Sequence, residues 1–287
     1  MAKPLISLAS WTAKYLPAPV VREIYRIPWI AKPLRGILNR AAPQGYTHVT
    51  IAAGPAAGSQ MCLNLQSEKD YWLGTYEIDL SKALVDLGKP GMVAYDLGAN
   101  IGYISLIMAI IVGVRGQVFA FEALPENLER LRRNIAINDL DDRVRIIPKA
   151  VCDQNAELTF LVGPSGGTGK AVGSAGRIDL VYSEQIKVSG VTLDTFIFEQ
   201  DHPEPDLIKL DIEGGEVLAL PKMGGTLSRS KPIVLMELHG PEAIDVAWDI
   251  LRVHHYRICR MTNGYPVITS KDAIDWKAYV IALPEQE

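Results

Sequence analysis

The chain has 287 residues, 48% of them apolar and 22% charged, with a formal net charge of −4. That suits one large domain plus an appendage and gives no electrostatic reason to expect a nucleic-acid partner. Cys62, Cys152 and Cys259 are odd in number, widely spaced and contain no CxxC pair, which argues against a disulfide framework or a cysteine zinc site and favours a reducing, cytoplasmic setting.

The charge is uneven. Residues 1–45 carry Lys3, Lys14, Arg22, Arg26, Lys32, Arg35 and Arg40 against Glu23 alone, interleaved with Trp11, Tyr15, Tyr25 and Trp29. This basic, aromatic stretch reads as a helical appendage with two uses open: a solvated face packed on the domain, or weak contact with an anionic membrane surface. Pro4, Pro17, Pro19, Pro28 and Pro33 interrupt any secretory apolar run. Residues 46–90 form a second segment. "HVTIAA" (48–53) and "SQMCLNL" (59–65) predict a β-hairpin around the turn-forming "GPAAG", with a helix leading into the core.

From Met92 strands and helices alternate, so residues 91–287 form the main domain. "MVAYDL" is a buried strand and "YISLIMAIIVGV" an apolar helix too short to span a bilayer. "QVFAFEA" is a strand, "PENLERLRRNIAIN" an amphipathic helix with Leu124, Leu128, Leu131 and Ile135 on one face, and "RVRIIPKAV" a third strand. A hairpin-like excursion follows, from "ELTFLVG" to "QIKVSGVTL". Then come the strand "DLIKLDIE", the short helix "GGEVLALPKM", the strand "PIVLMELH", the helix "PEAIDVAWDILRVHH" and the strands "YRICRM" and "AYVIALP". Alternation of this kind predicts an α/β fold with a mostly parallel sheet covered on both faces, and the last two strands predict an antiparallel edge.

Within the excursion, "GPSGGTGK" (163–170) resembles a phosphate-binding loop but fails its spacing. The first glycine belongs at 164, which is Pro164, and Ala171 follows Lys170 where a hydroxyl is needed. The stretch reads instead as a loop that folds over an acceptor, with Lys170 toward an anionic substrate, or as a plain exposed turn.

Ligands of open α/β sheets bind beyond the carboxyl ends of the strands. There the chain places Asp96, Gly98, Asn100 and Gly102 in an Asp-x-Gly-x-Asn-x-Gly turn, and Glu122 at the end of the next strand. Glycine, and to a lesser degree asparagine, tolerates the positive φ of a tight turn. A strand-end carboxylate can accept from both hydroxyls of a ribose, which suggests an adenosine-type ligand. NAD is the rival, but GxGxxG is missing, and a carboxylate beside the turn would repel a pyrophosphate while attracting the ammonium and sulfonium of S-adenosylmethionine.

"YDLGANIGYISL", "VFAFEALPENLERLRRNIAIN", "LIKLDIEGGEVLAL" and "IVLMELHG" together resemble the FkbM-type S-adenosylmethionine-dependent methyltransferases. The resemblance implies a class I methyltransferase (Rossmann-like) fold with a seven-stranded, mostly parallel sheet, and methyl transfer to a hydroxyl of a glycan, glycolipid or polyketide-type acceptor. It further implies that Asp96, Gly98, Asn100 and Gly102 line the methionine end, and that Glu122 holds the ribose. Ala150 and Val151 would lie near the adenine, with Ala123 and Leu124 on its other side; Asp211, ending the fourth strand with Glu213, would also bind the cofactor, and Tyr76 or Glu77 would cover the pocket. Lys149 departs from the smaller polar residue expected beside the adenine. A non-catalytic binding module on the same fold and an NAD-dependent oxidoreductase remain as alternatives.

Alternation puts Asp211 and Glu213 on one face of a strand and Glu237 and His239 on one face of another. His239 is the leading base, since an imidazole takes up protons near neutrality, with Asp211 or Glu213 orienting it or accepting the proton. Glu216 reads as a first-turn helix charge. The four residues include metal-compatible types, but their spacing is not diagnostic and no metal site is assigned.

Overall fold

The computed structural model describes residues 44–163, 168–176, 182 and 184–285. The expected appendage over 1–45 lies, but for its last two residues, outside the described residues, as does the centre of the Gly-rich stretch at 164–167.

The expected hairpin pairs β1 (Tyr46–Thr50) with β2 (Gln60–Asn64) in antiparallel register. It is followed by two helices, α1 (Lys69–Leu73) and α2 (Ile78–Leu87). The main sheet uses β3 (Val93–Leu97), β4 (Gln117–Phe121), β5 (Val144–Ile147), β10 (Leu207–Leu210), β11 (Ile233–His239), β12 (Tyr256–Arg260) and β13 (Lys277–Pro284). Its order is β12-β13-β11-β10-β3-β4-β5. β10 pairs in parallel with both β3 and β11, whereas β13 runs antiparallel to β11 and β12. This is the seven-stranded sheet with a reversed strand near one edge. The strand order changes direction beside β3, so the crevice at the ends of β3 and β10 is the place where such a sheet binds a ligand.

Helices cover both faces. α3 (Tyr103–Val112) is buried along most of its length, which is why its sequence reads as apolar all round rather than amphipathic. α4 (Pro125–Ala136) begins with proline at its first position and buries Leu128, Leu131 and Ile135. The short α5 (Glu216–Ala219) follows β10, and α6 (Pro241–Val253) buries Ile244, Ala247 and Leu251.

Two sequence expectations are corrected. "RVRIIPKAV" is two strands rather than one: β5 belongs to the main sheet and β6 (Ala150–Val151) to a second sheet. Pro148 separates them, and a proline has no N–H to continue a ladder. The excursion is also more than a hairpin. β7 (Glu157–Val162), β8 (Gly169–Ala171) and β9 (Glu184–Val191) join β6 in a four-stranded sheet, ordered β6-β9-β7-β8.

Candidate active site

A cavity of about 230 Å³ opens at the carboxyl ends of β3, β4 and β10. Its wall includes Gly98, Asn100, Glu122, Ala123, Leu124, Asp211 and Glu213, which follow those three strands, and Ala150 and Val151 of β6. Tyr76 and Glu77, from the segment before α2, line it as well, and so does Lys149.

The turn after β3 is built by close approach. Gly98 has φ +84, and a Cβ there would lie 2.0 Å from the Asp211 carbonyl oxygen. Glycine thus lets the first turn rest on the end of β10 and fixes where Asp211 stands. Asn100 takes φ 51, and its N–H donates to Glu122 Oε2 at 2.8 Å. The N–H groups of Ala123 and Leu124 donate to Glu122 Oε1 at 2.9 and 2.8 Å. Burial pushes the Glu122 carboxyl up, against these three donors. Oε1 already accepts twice, so the remaining acceptor site is on Oε2.

Two members of the turn do not reach the cavity. Gly102 has φ +93 and packs its α-carbon side against α4, where a Cβ would meet Leu131 Cδ1 at 2.6 Å. Its role is to bring α3 and α4 together. Asp96 is fully buried. Ser105 donates to its Oδ2 at 2.6 Å, and Lys209 Nζ lies 3.2 Å from its Oδ1. The attraction expected between Asp96 and a cofactor cation is therefore already met by a lysine. Lys209 also donates to the carbonyl of Gly98 at 2.7 Å and lies 3.9 Å from Asp211 Oδ2. Burial opposes its charge, but the neighbouring carboxylates of Asp96, Asp211 and Glu77 outweigh that and hold the ammonium well above its ordinary value. The sequence does carry this signal: a lysine inside an apolar strand is almost never buried unless it is paired.

Beside the cavity the residues after β10 meet the end of β11. Asp211 and Glu213 do not lie on a strand face as alternation predicts: β10 ends at Leu210, and Glu213 takes φ 55 in the turn that follows. His239 is buried and does not itself line the cavity. Its Nε2 lies 3.6 Å from Glu237 Oε1 and 3.9 Å from both Asp211 Oδ1 and Glu213 Oε2. Its Nδ1 faces Glu216 Oε1 at 3.4 Å. Glu216 is fully buried and is not a solvated helix charge, since its Oε1 also accepts from the Ile212 N–H. Glu216, rather than Asp211 or Glu213, is thus the group on the far nitrogen of the imidazole. Burial lowers the affinity of His239 for a proton, but Glu216 first, then Asp211 and Glu213, outweigh it and raise its pKa. Burial and then Asp211 push the Glu213 carboxyl up. The ligand atoms of Asp211, Glu237 and His239 lie within 4.8 Å of one another, and the ammonium of Lys277 contacts Glu237. Lys170 is buried within β8, donating to the Ala175 carbonyl and facing the Tyr182 ring.

The sheet order and the strand-end cavity define the chain as a class I methyltransferase fold. Residues 96–258 match the methyltransferase FkbM domain, and the chain belongs to that family. Its cofactor is S-adenosylmethionine, and the wall fits this ligand: Glu122 Oε2 keeps one acceptor site for a ribose hydroxyl beside the apolar Ala123, Leu124, Ala150 and Val151. Among known proteins, the chain is similar to the hexuronic acid methyltransferase AglP of Haloferax volcanii, with 28% identity over 168 residues. That match spans 57% of this chain and 62% of the relative's length. Similar solved structures include a methyltransferase FkbM from Methylobacillus flagellatus, with TM-score 0.46, 15% identity and coverage of 75% of this chain and 55% of that one. Another is an S-adenosylmethionine-dependent O-methyltransferase from Thermotoga maritima, with TM-score 0.43, 15% identity and coverage of 74% and 67%.

Proposed function

We propose that the protein transfers a methyl group from S-adenosylmethionine to a hydroxyl oxygen of a sugar-containing acceptor. The observation that carries this reading is the convergence of Asp211, Glu213 and His239 beside the strand-end cavity. The similarity to a hexuronic acid methyltransferase favours a uronic acid within a glycan or glycolipid as the acceptor.

Bound S-adenosylmethionine supplies an electrophilic methyl on its sulfonium. The chain's own residues orient the partners and manage one proton. Glu122 and the apolar wall hold the adenosine. Asp211 and Glu213, which line the cavity, orient the acceptor hydroxyl. His239 Nε2, behind them, holds the proton that the hydroxyl loses. Glu216 opposite Nδ1 fixes the ring and stabilises the imidazolium.

The test is incubation with methyl-labelled S-adenosylmethionine and a panel of uronic acid, neutral sugar and polyketide alcohols. Transfer to a uronic acid hydroxyl is expected. Cofactor binding without transfer across the panel would favour a non-catalytic module. Residues 1–45, with their basic and aromatic composition, support a weak peripheral contact with anionic membranes as a further part of this proposal. Among the described residues no helix is long and apolar enough to cross a membrane.

A further inference from the structure

Asp96 is spoken for by Lys209, so some other group must answer the positive charge at the methionyl end of the cofactor. The carboxylates on the cavity wall are not equivalent. Glu122 is held by three backbone N–H groups, Asp211 stands 3.9 Å from the Lys209 ammonium, and the Glu213 side chain is half exposed. Lys209, which also lines the cavity, and Tyr76 favour the charge of Glu77, but unlike the other three Glu77 is held by neither a backbone donor nor a close ion pair. Its Oε2 is buried and has no hydrogen-bond partner. A buried carboxylate oxygen left without a partner is rare, because it loses its water and gains nothing in return.

The backbone is an independent sign. Glu77 has φ 44 and ψ 58, left-handed values that side-chain-bearing residues avoid. Its carboxylate does not cap the helix that follows. Strain of this kind persists where the surroundings hold a residue in place, and it concentrates at ligand sites. Three tyrosines complete the setting. The ring centroids of Tyr71 and Tyr76 are 4.3 Å apart, with Tyr103 5.2 Å from the first and 5.8 Å from the second. All three line the same cavity as Glu77. Aromatic faces beside a carboxylate form a receptor for an organic cation.

We propose that Glu77, with the Tyr71–Tyr76–Tyr103 cluster, receives the cationic methionyl end of S-adenosylmethionine, the α-ammonium being the partner of Glu77 Oε2. The assignment rests on the reading that S-adenosylmethionine occupies this cavity. It places a binding residue upstream of residues 96–258, the span of the family match.

Calorimetric titration separates the possibilities with three ligands. S-adenosylmethionine and S-adenosylhomocysteine both carry the α-ammonium; 5′-methylthioadenosine keeps the adenosine but lacks the amino-acid end. Glu77→Gln should weaken the first two by about tenfold or more, the scale of a charge-assisted hydrogen bond, and leave methylthioadenosine within about twofold. The sign is informative, because removing a negative charge would strengthen any contact to the ligand's own carboxylate. Unchanged affinity for the first two ligands, or the same loss for all three, overturns the assignment. If Glu77→Gln does not fold, Glu77→Asp serves: a loss confined to the two ammonium-bearing ligands is expected, and an equal loss for all three is contrary. Wild-type protein that binds none of the three defeats the cavity reading, and this assignment with it.

Discussion

At the scale of single residues, the site is a set of carboxylates distinguished by their neighbours. Asp96 is neutralised by Lys209, Glu122 is fixed by backbone donors, and Glu216 faces the imidazole of His239. Replacing His239 with alanine is expected to lower kcat by about 10²-fold or more, the scale of general-base catalysis, with S-adenosylhomocysteine affinity near wild type. Unchanged turnover would remove His239 from the proton path. Its raised pKa sets the direction of the pH profile. The base must be neutral, so kcat should fall as pH drops through a value above the ordinary histidine one. Glu216→Gln should move that acid limb to lower pH, because it removes the largest influence holding the proton on the ring. The same sign governs stability: the imidazolium's contribution is fully present below the unfolded histidine pKa and is lost as pH rises through the folded one.

The sequence disclosed these residues unevenly. Period-two alternation holds for Glu237 and His239 in β11; Asp211 and Glu213 reach them through the turn after β10, whose left-handed Glu213 no strand period foretells. Alternation could not show that Asp96 is buried behind Lys209 and absent from the cavity wall, since that depends on a lysine from a strand more than 100 positions later. Glu216 carries no such signal either: a carboxylate in a first helical turn is usually solvated, and only the fold brings the His239 ring and the Ile212 N–H to it.

At the scale of elements, the turn after β3 joins fold to function. Gly98→Ala adds a Cβ 2.0 Å from the Asp211 carbonyl at a positive φ. A loss of about 1–3 kcal/mol in stability is expected from the backbone alone, together with loss of cofactor binding, both measurable by denaturant unfolding and calorimetry. Lys209→Met keeps the volume but leaves Asp96 buried without its cation, and about 3–5 kcal/mol of destabilisation is expected. A destabilisation below about 1 kcal/mol would mean the pair matters little. The alternating helices and strands were readable because each has a clear period. The division of "RVRIIPKAV" at Pro148 had a visible cause in the sequence. Pairing of β6 with β9 had none, because a two-residue strand carries no period.

At the scale of the whole molecule, the main sheet supplies a rigid floor. The hairpin segment with α1 and α2 contributes Tyr71, Tyr76 and Glu77 to the cavity wall, and the second sheet contributes Phe160 and Ala171. Parts distant in sequence therefore meet around one ligand, and binding should stabilise them together. At a ligand concentration of 100 times Kd the gain is about 2.7 kcal/mol, which for a chain of this size corresponds to a rise in Tm of roughly 5 °C or more. The N-terminal proposal belongs to this scale too. Removing residues 1–43 should reduce co-sedimentation with anionic vesicles at low salt, and unchanged co-sedimentation would count against it.

The central claim is that the cavity between Glu122 and Glu77 holds S-adenosylmethionine. A crystal structure with S-adenosylhomocysteine tests it most directly. The expected result is electron density for a ribose hydroxyl on Glu122 Oε2, the adenine between Leu124 and Val151, and the amino-acid end against Glu77 and Asp211. Density elsewhere, or an adenosine lying in the reverse direction, would contradict the account.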